Sequence, residues 1–91
     1  MNFTSAIKCV NGRKMTFIGH VIRFKESSFQ HIDLENPNEA IHYFAQRFGL
    51  APIRVFTEIY KGFVVTPLTD QIYSQLVSED CVEAIEPYYV L

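Results

Sequence analysis

Residues 52–66 read Pro-Ile-Arg-Val-Phe-Thr-Glu-Ile-Tyr-Lys-Gly-Phe-Val-Val-Thr. β-Branched and aromatic side chains dominate the stretch, and Lys61-Gly62 interrupts it. This pattern predicts a strand over residues 52–60, a tight turn, and a strand over 63–66 that returns antiparallel to the first. Ile53, Val55, Thr57 and Ile59 would share one face of the first strand, and Arg54, Phe56, Glu58 and Tyr60 the other. Helix signals flank this hairpin on both sides. A hairpin set between two helices calls for an antiparallel sheet and an α+β plan.

On the upstream side, Asn36-Pro37-Asn38-Glu39 opens a helix. Asn36 is a good N-cap, Pro37 suits the first helical position, and Glu39 completes a capping box. Ala40, Ile41, Phe44 and Phe48 recur at three and four and predict one apolar stripe. Gly49 followed by Leu50 has the form of a Schellman-type end. Downstream, Pro67-Leu68-Thr69-Asp70 opens a second helix, with Thr69 as N-cap and Leu68 as a hydrophobic staple. Its buried stripe is Ile72, Leu76 and Val77, with Tyr73 at the edge, and Ser78-Glu79-Asp80 ends it. A last strand is expected over residues 82–89.

Nearer the amino terminus, Asn11-Gly12 separates two β-rich runs, residues 6–10 and 15–18, as a hairpin turn would. Residues 15–25 read as extended, with Gly19 marking either a bulge or a break into two strands. Ile22 and Phe24 fall on one face, Arg23 and Lys25 on the other. Residues 26–35 are expected to form a loop anchored by Phe29, Ile32 and Leu34. The chain is thus predicted to be one domain, residues 1–91, with an amino-terminal hairpin over 1–19 and a core over 20–91. The core order is strand, helix, strand, strand, helix, strand: a ferredoxin-like two-layer α+β sandwich. One face of its sheet would lie under the helices and the other would stay open.

Ninety-one residues, 48% of them hydrophobic and 20% charged, suit one globular domain and exclude wholesale disorder. The net charge of −2 argues against a nucleic-acid binder held by phosphate neutralisation. No apolar run reaches the ~18 residues a membrane span needs, and no signal-type core is present. The expectation is a cytoplasmic protein, or a secreted or compartmental one if the chain is an excised propeptide. Cys9 and Cys81 lack metal-type spacing and read as small buried hydrophobes or near-surface thiols; pairing them would need an oxidising compartment. His20, His31 and His42 suggest no metal. Ser27-Ser28 with His31 and Asp33 holds the letters of a triad but no nucleophile elbow. No cofactor and no catalysis are expected.

Three segments in order carry a resemblance: Tyr60-Lys61-Gly62-Phe63-Val64-Val65; then Leu68-Thr69-Asp70-Gln71 with Leu76; then Val82-Glu83-Ala84-Ile85-Glu86-Pro87. Together they resemble the propeptide of subtilisin-type serine proteases and the free-standing proteinase inhibitors built on it. Those chains carry an aromatic before an Asn/Lys-Gly-Phe turn, a helix opening with Leu-Ser/Thr, and a closing Val-x-x-Ile/Val-Glu-x-Asp strand. His20-Val21-Ile22-Arg23-Phe24-Lys25 is similar to their first strand, so the resemblance spans residues 20–91. It implies inhibition of a subtilisin-like serine protease, or assistance to its folding as an intramolecular chaperone. In that family the open sheet face lies on two protease helices, and the carboxyl-terminal segment runs as a strand into the substrate cleft.

Carried onto this chain, the sheet contact would use Phe56, Glu58, Tyr60, Phe63 and Val65. Glu86 would meet a helix N-terminus. Pro87, Tyr88, Tyr89, Val90 and Leu91 would enter the cleft; alternatively, residues 88–91 simply complete the last strand. Tyr88 stands where the family has Asp, and the chain stops short of where bacterial propeptides continue. Having its own Met1, the chain looks more like a stand-alone inhibitor than a cut propeptide. The alternative is a structural or assembly module that kept the fold and lost inhibition, its simplest form a homodimer through an exposed edge strand. A base-stacking RNA module is a third option, opposed by charge. An acylphosphatase lacks its glycine-rich loop here.

Overall fold

The computed structural model describes residues 7–10, 12–29 and 37–91. Its elements are β1 (Ile7–Val10), β2 (Arg13–Phe24), a 3-10 turn (Glu26–Phe29), α1 (Pro37–Arg47), β3 (Arg54–Phe56), β4 (Gly62–Val65), α2 (Asp70–Val77) and β5 (Val82–Val90). The fold is mixed α+β: a five-stranded antiparallel sheet with two helices, compatible with a two-layer sandwich. No described helix is long and apolar enough to cross a membrane.

β2 organises the sheet. Thr16 pairs with both Ile7 and Val90, and His20 with both Val65 and Pro87. Strands β1 and β4 therefore lie end to end along one side of β2, and β5 lies along the other. β3 adds beyond β4. Twelve residues of β2 extend about 40 Å at the usual rise, which accounts for the 44 Å long axis of the molecule. Gly19 sits inside this strand. A Cβ there would meet the Val65 carbonyl oxygen, and the β2–β5 register slips between Phe17 and Gly19. Gly19 thus marks a bulge and not a break, and the predicted boundary between residues 19 and 20 falls within one continuous strand.

The amino-terminal hairpin forms as read: Val10 pairs with Arg13, and Gly12 has φ 76°. The 3-10 turn occupies the start of the expected loop. The side chains of Phe29, Ile32, Leu34 and Asn36, and residue His31, fall outside the described part. α1 ends in the expected Schellman arrangement: the Leu50 N–H donates to the Ala45 carbonyl (2.9 Å), the Gly49 N–H donates to Gln46 (3.1 Å), and Gly49 has φ 69°. Thr69 caps α2, its Oγ1 accepting from the Ile72 N–H at 3.2 Å.

The core joins Ile41, Phe44 and Ala45 of α1 and Leu76 of α2 to Ile22 and Phe24 of β2, Phe63 and Val65 of β4, and Val82 of β5. Both helices therefore pack on the same sheet face. Phe24 meets Phe44 edge-on, with ring centroids 4.9 Å apart. On α1, Ala45 is buried where the sequence favoured Ala40, which is half-buried. On α2, Val77 is 59% exposed, against expectation. Each residue turns about 100° round a helix, so in this short helix the step past Leu76 carries Val77 off the narrow buried stripe.

The largest departure is β3. The predicted strand over 52–60 shrinks to Arg54–Phe56, and residues 57–61 form a loop. Gly62 is not a turn residue but the first of β4, paired with Phe56. A Cβ at Gly62 would meet the Ile22 carbonyl oxygen, so this glycine serves close strand approach. Ile59, expected to face inward with Val55, is 99% exposed at the loop.

Pro87 occupies β5 opposite His20. Among the described residues β5 pairs only with β2, and a proline fits such an edge because its missing N–H turns outward.

Candidate functional site: the helix-free face of the sheet

Strand alternation assigns the face away from the helices. It carries Arg54 and Phe56 of β3, Gly62 and Val64 of β4, Val21 and Arg23 of β2, and Ala84, Glu86 and Tyr88 of β5. One cross-strand row runs Arg54, Val64, Val21, Glu86; the next runs Phe56, Gly62, Arg23, Ala84. Val64 is 0% exposed and Val21 is also buried, although neither described helix covers them. The Arg54 Nη1 donates to the Tyr88 hydroxyl at 3.3 Å, linking the two outer strands. At about 4.8 Å per strand spacing, that bridge must pass over β4 and β2, and so roofs the two valines.

A second run of contacts continues from Arg54. Its guanidinium lies 5.0 Å from the Phe56 ring centroid, Phe56 lies 5.3 Å from Tyr60, and the Arg23 guanidinium lies 5.4 Å from Tyr60. Arg23 also pairs with Glu83 (3.5 Å) and Glu86 (3.7 Å). Glu83 reaches it because the register slips between Arg23 and Phe24, leaving Glu83 between two paired positions of β5. These half-exposed ion pairs contribute little stability; they fix where the side chains point. Arginine held against aromatic faces gains cation–π attraction. The loop over 57–61 stands between two clefts of about 350 and 440 Å³. The smaller is charged, with Arg23, Lys61, Glu58 and Glu83; the larger is lined by Arg54, Phe56, Ile59 and Tyr60.

Of the residues expected at the site, Phe56, Tyr60, Glu86 and Tyr88 come together here, and Glu58 lines both clefts from the loop. Phe63 and Val65 do not belong. They are 0% and 1% exposed and lie in the helix-side core. Phe56 pairs with Gly62, so Gly62 and Val64 share its face, and alternation sends Phe63 and Val65 the other way.

The carboxyl-terminal segment follows the alternative in which it completes the last strand: Tyr88, Tyr89 and Val90 are ladder residues opposite Gly19, Phe17 and Thr16, so β5 runs one residue past the expected end. Tyr89 packs its ring 5.7 Å from Phe17. Pro87 and Val90 are exposed in β5, and Leu91 is exposed beyond it. Sequence reasoning missed Arg23, Arg54 and Glu83 as site residues. The alternation already put Arg54 beside Phe56 and Arg23 opposite Ile22, so a signal existed for both. Glu83 depends on the bulge and left none.

His20 belongs to the opposite side. It is buried, and its Nδ1 accepts from the Leu68 N–H at 3.1 Å. An accepting Nδ1 fixes the neutral tautomer with the proton on Nε2. Burial lowers its pKa from the usual 6.5. Phe17 and Tyr73 flank the ring at 5.4 and 6.1 Å. Cys9 is exposed and Cys81 half-buried, neither in a disulfide, and burial followed by the Glu79 charge raises the Cys81 pKa. Among the described residues no group of three or more His, Cys, Asp or Glu could hold a metal ion. No protein-family model, no curated protein and no solved structure matches this chain.

Proposed function

We propose that the domain binds another protein through the helix-free face of its sheet, as an inhibitor or folding assistant of a subtilisin-like serine protease. The order β5, β2, β4, β3 across the sheet supports the ferredoxin-like reading on which the resemblance rests. The observation that carries the proposal is the continuous layer of Tyr88, Arg54, Phe56, Tyr60 and Arg23 on that face. Tyrosine and arginine dominate the binding energy of protein interfaces, and here their rotamers are held in advance, which lowers the cost of association. Glu86 stands at the rim of the layer, where a helix N-terminus of the protease would favour a carboxylate.

Titrating the domain into a subtilisin while following peptide hydrolysis tests the reading. Saturable inhibition at micromolar concentration or below supports it, and full protease activity at several hundred micromolar domain rejects it.

A second reading has its own observation. Residues 88–90 are tied into the sheet, as suits an assembly module without an inhibitory peptide. Concentration-dependent self-association in sedimentation, with no effect on the protease, would select it.

A further inference from the structure

The amino-terminal half of β2 holds the peptide that a protease cleft would take. We propose that Thr16 and Phe17, backed by β1, act as an internal latch on Tyr89 and Val90 and hold the domain in a restrained form until the end of β5 lifts away. This inference rests on the protease reading for its consequence, but the latch itself is a property of the chain.

Among the described residues, the β2–β5 ladder beyond the slip at Gly19 consists of Phe17–Tyr89 and Thr16–Val90. Thr16 is buttressed from the far side by Ile7 of β1. Phe17 adds the ring contact to Tyr89, and Arg54 holds Tyr88. No core residue lies in this stretch of β5; Val82 anchors its other end, with Ile85 packed against the core. The register slip sets the short distal ladder apart from the longer one over residues 19–24, so it can open without unzipping the rest.

A substrate cleft holds a peptide by pairing with its backbone and receiving its side chains. β2 already holds one side of the Tyr89 and Val90 backbone, and Phe17 covers part of the Tyr89 ring. The same residues cannot serve both partners, so cleft and latch compete. Docking by the sheet face alone needs no such release.

The test combines a lock, a release and a readout that needs no protease. A Thr16→Cys, Val90→Cys pair in a Cys9→Ser background cross-links directly opposed positions, whose spacing suits a disulfide. Phe17→Ala removes the ring contact. In the native chain the amide of Val90, which faces β2, is expected to exchange with deuterium at least tenfold faster than those of Val21 and Ile22. The oxidised lock is expected to inhibit subtilisin at least tenfold more weakly than after reduction, and Phe17→Ala to inhibit more tightly than the native chain.

Exchange of Val90 at the rate of the strand core overturns the latch, as does equal inhibition by the oxidised and reduced lock. Fast exchange suppressed by the cross-link, with no inhibition by any form, upholds the latch and rejects the protease reading.

Discussion

His20 shows how one buried polar side chain couples a fold to pH. Its folded pKa lies below the ordinary 6.5, so below about that pH the unfolded chain binds the extra proton and the folded one resists it. Stability is therefore complete above pH 6.5 and falls as the pH drops through it, by at most about 1.4 kcal/mol per pH unit. Protonation would also turn Nδ1 into a donor facing the Leu68 N–H, so the bond that ties β2 to the start of α2 is lost. The urea midpoint is expected to fall between pH 7 and 5 in the native chain and to vary much less in His20→Gln. Phe63 and Tyr60 give the contrast between core and face. Phe63→Ala should cost about 3–5 kcal/mol in urea unfolding, as expected for a fully buried aromatic. Tyr60→Ala should cost roughly 1 kcal/mol or less and act on partner binding instead.

At the scale of elements, the two glycines inside strands are close-approach residues. Gly62→Ala places a methyl against the Ile22 carbonyl oxygen, where β2 and β4 cannot yield without losing their ladder. Its melting temperature should drop by more than that of Thr69→Ala, which removes only the α2 cap at about 1 kcal/mol; paired thermal scans check the order. The same positions explain what was readable in the chain. Both helices, the end of α1, the start of α2 and the order of elements along the chain follow from local rules: Thr69 and Gly49 act where they stand, and most of each apolar stripe carries its own period, Ala40 and Val77 apart. The length of β3 does not. Lys61-Gly62 has the composition of a turn, but the role of Gly62 is set by the Ile22 backbone, far away in sequence. That single reassignment moves Ile59 out to the loop and sends Phe63 and Val65 to the core. The pairing of residues 88–90 with Gly19, Phe17 and Thr16 is likewise a tertiary choice, and alternation is compatible with either fate for those residues. On the site, the alternation of Arg54 and Phe56 was visible, whereas the bridge from Arg54 to Tyr88 needed two strands placed side by side.

At the scale of the whole molecule, the two faces of one sheet divide the work. The helix side holds the aliphatic and aromatic core; the other carries arginine, tyrosine and phenylalanine over a floor of two valines. If the proposed protease contact is right, Arg54→Ala and Tyr60→Ala should each weaken inhibition by about tenfold or more, as truncation at an interface hot spot does. Val77→Ala, on the far side, should leave inhibition unchanged. Titration against one protease separates these outcomes. Pro87 carries a consequence for the life of the protein in a crowded solution. A nine-residue strand whose outer flank pairs with no other described strand invites runaway stacking of copies into fibrils. Pro87 interrupts the row of outward donors near the middle of that flank, so Pro87→Val should fold and yet shorten the lag before thioflavin-positive aggregates appear.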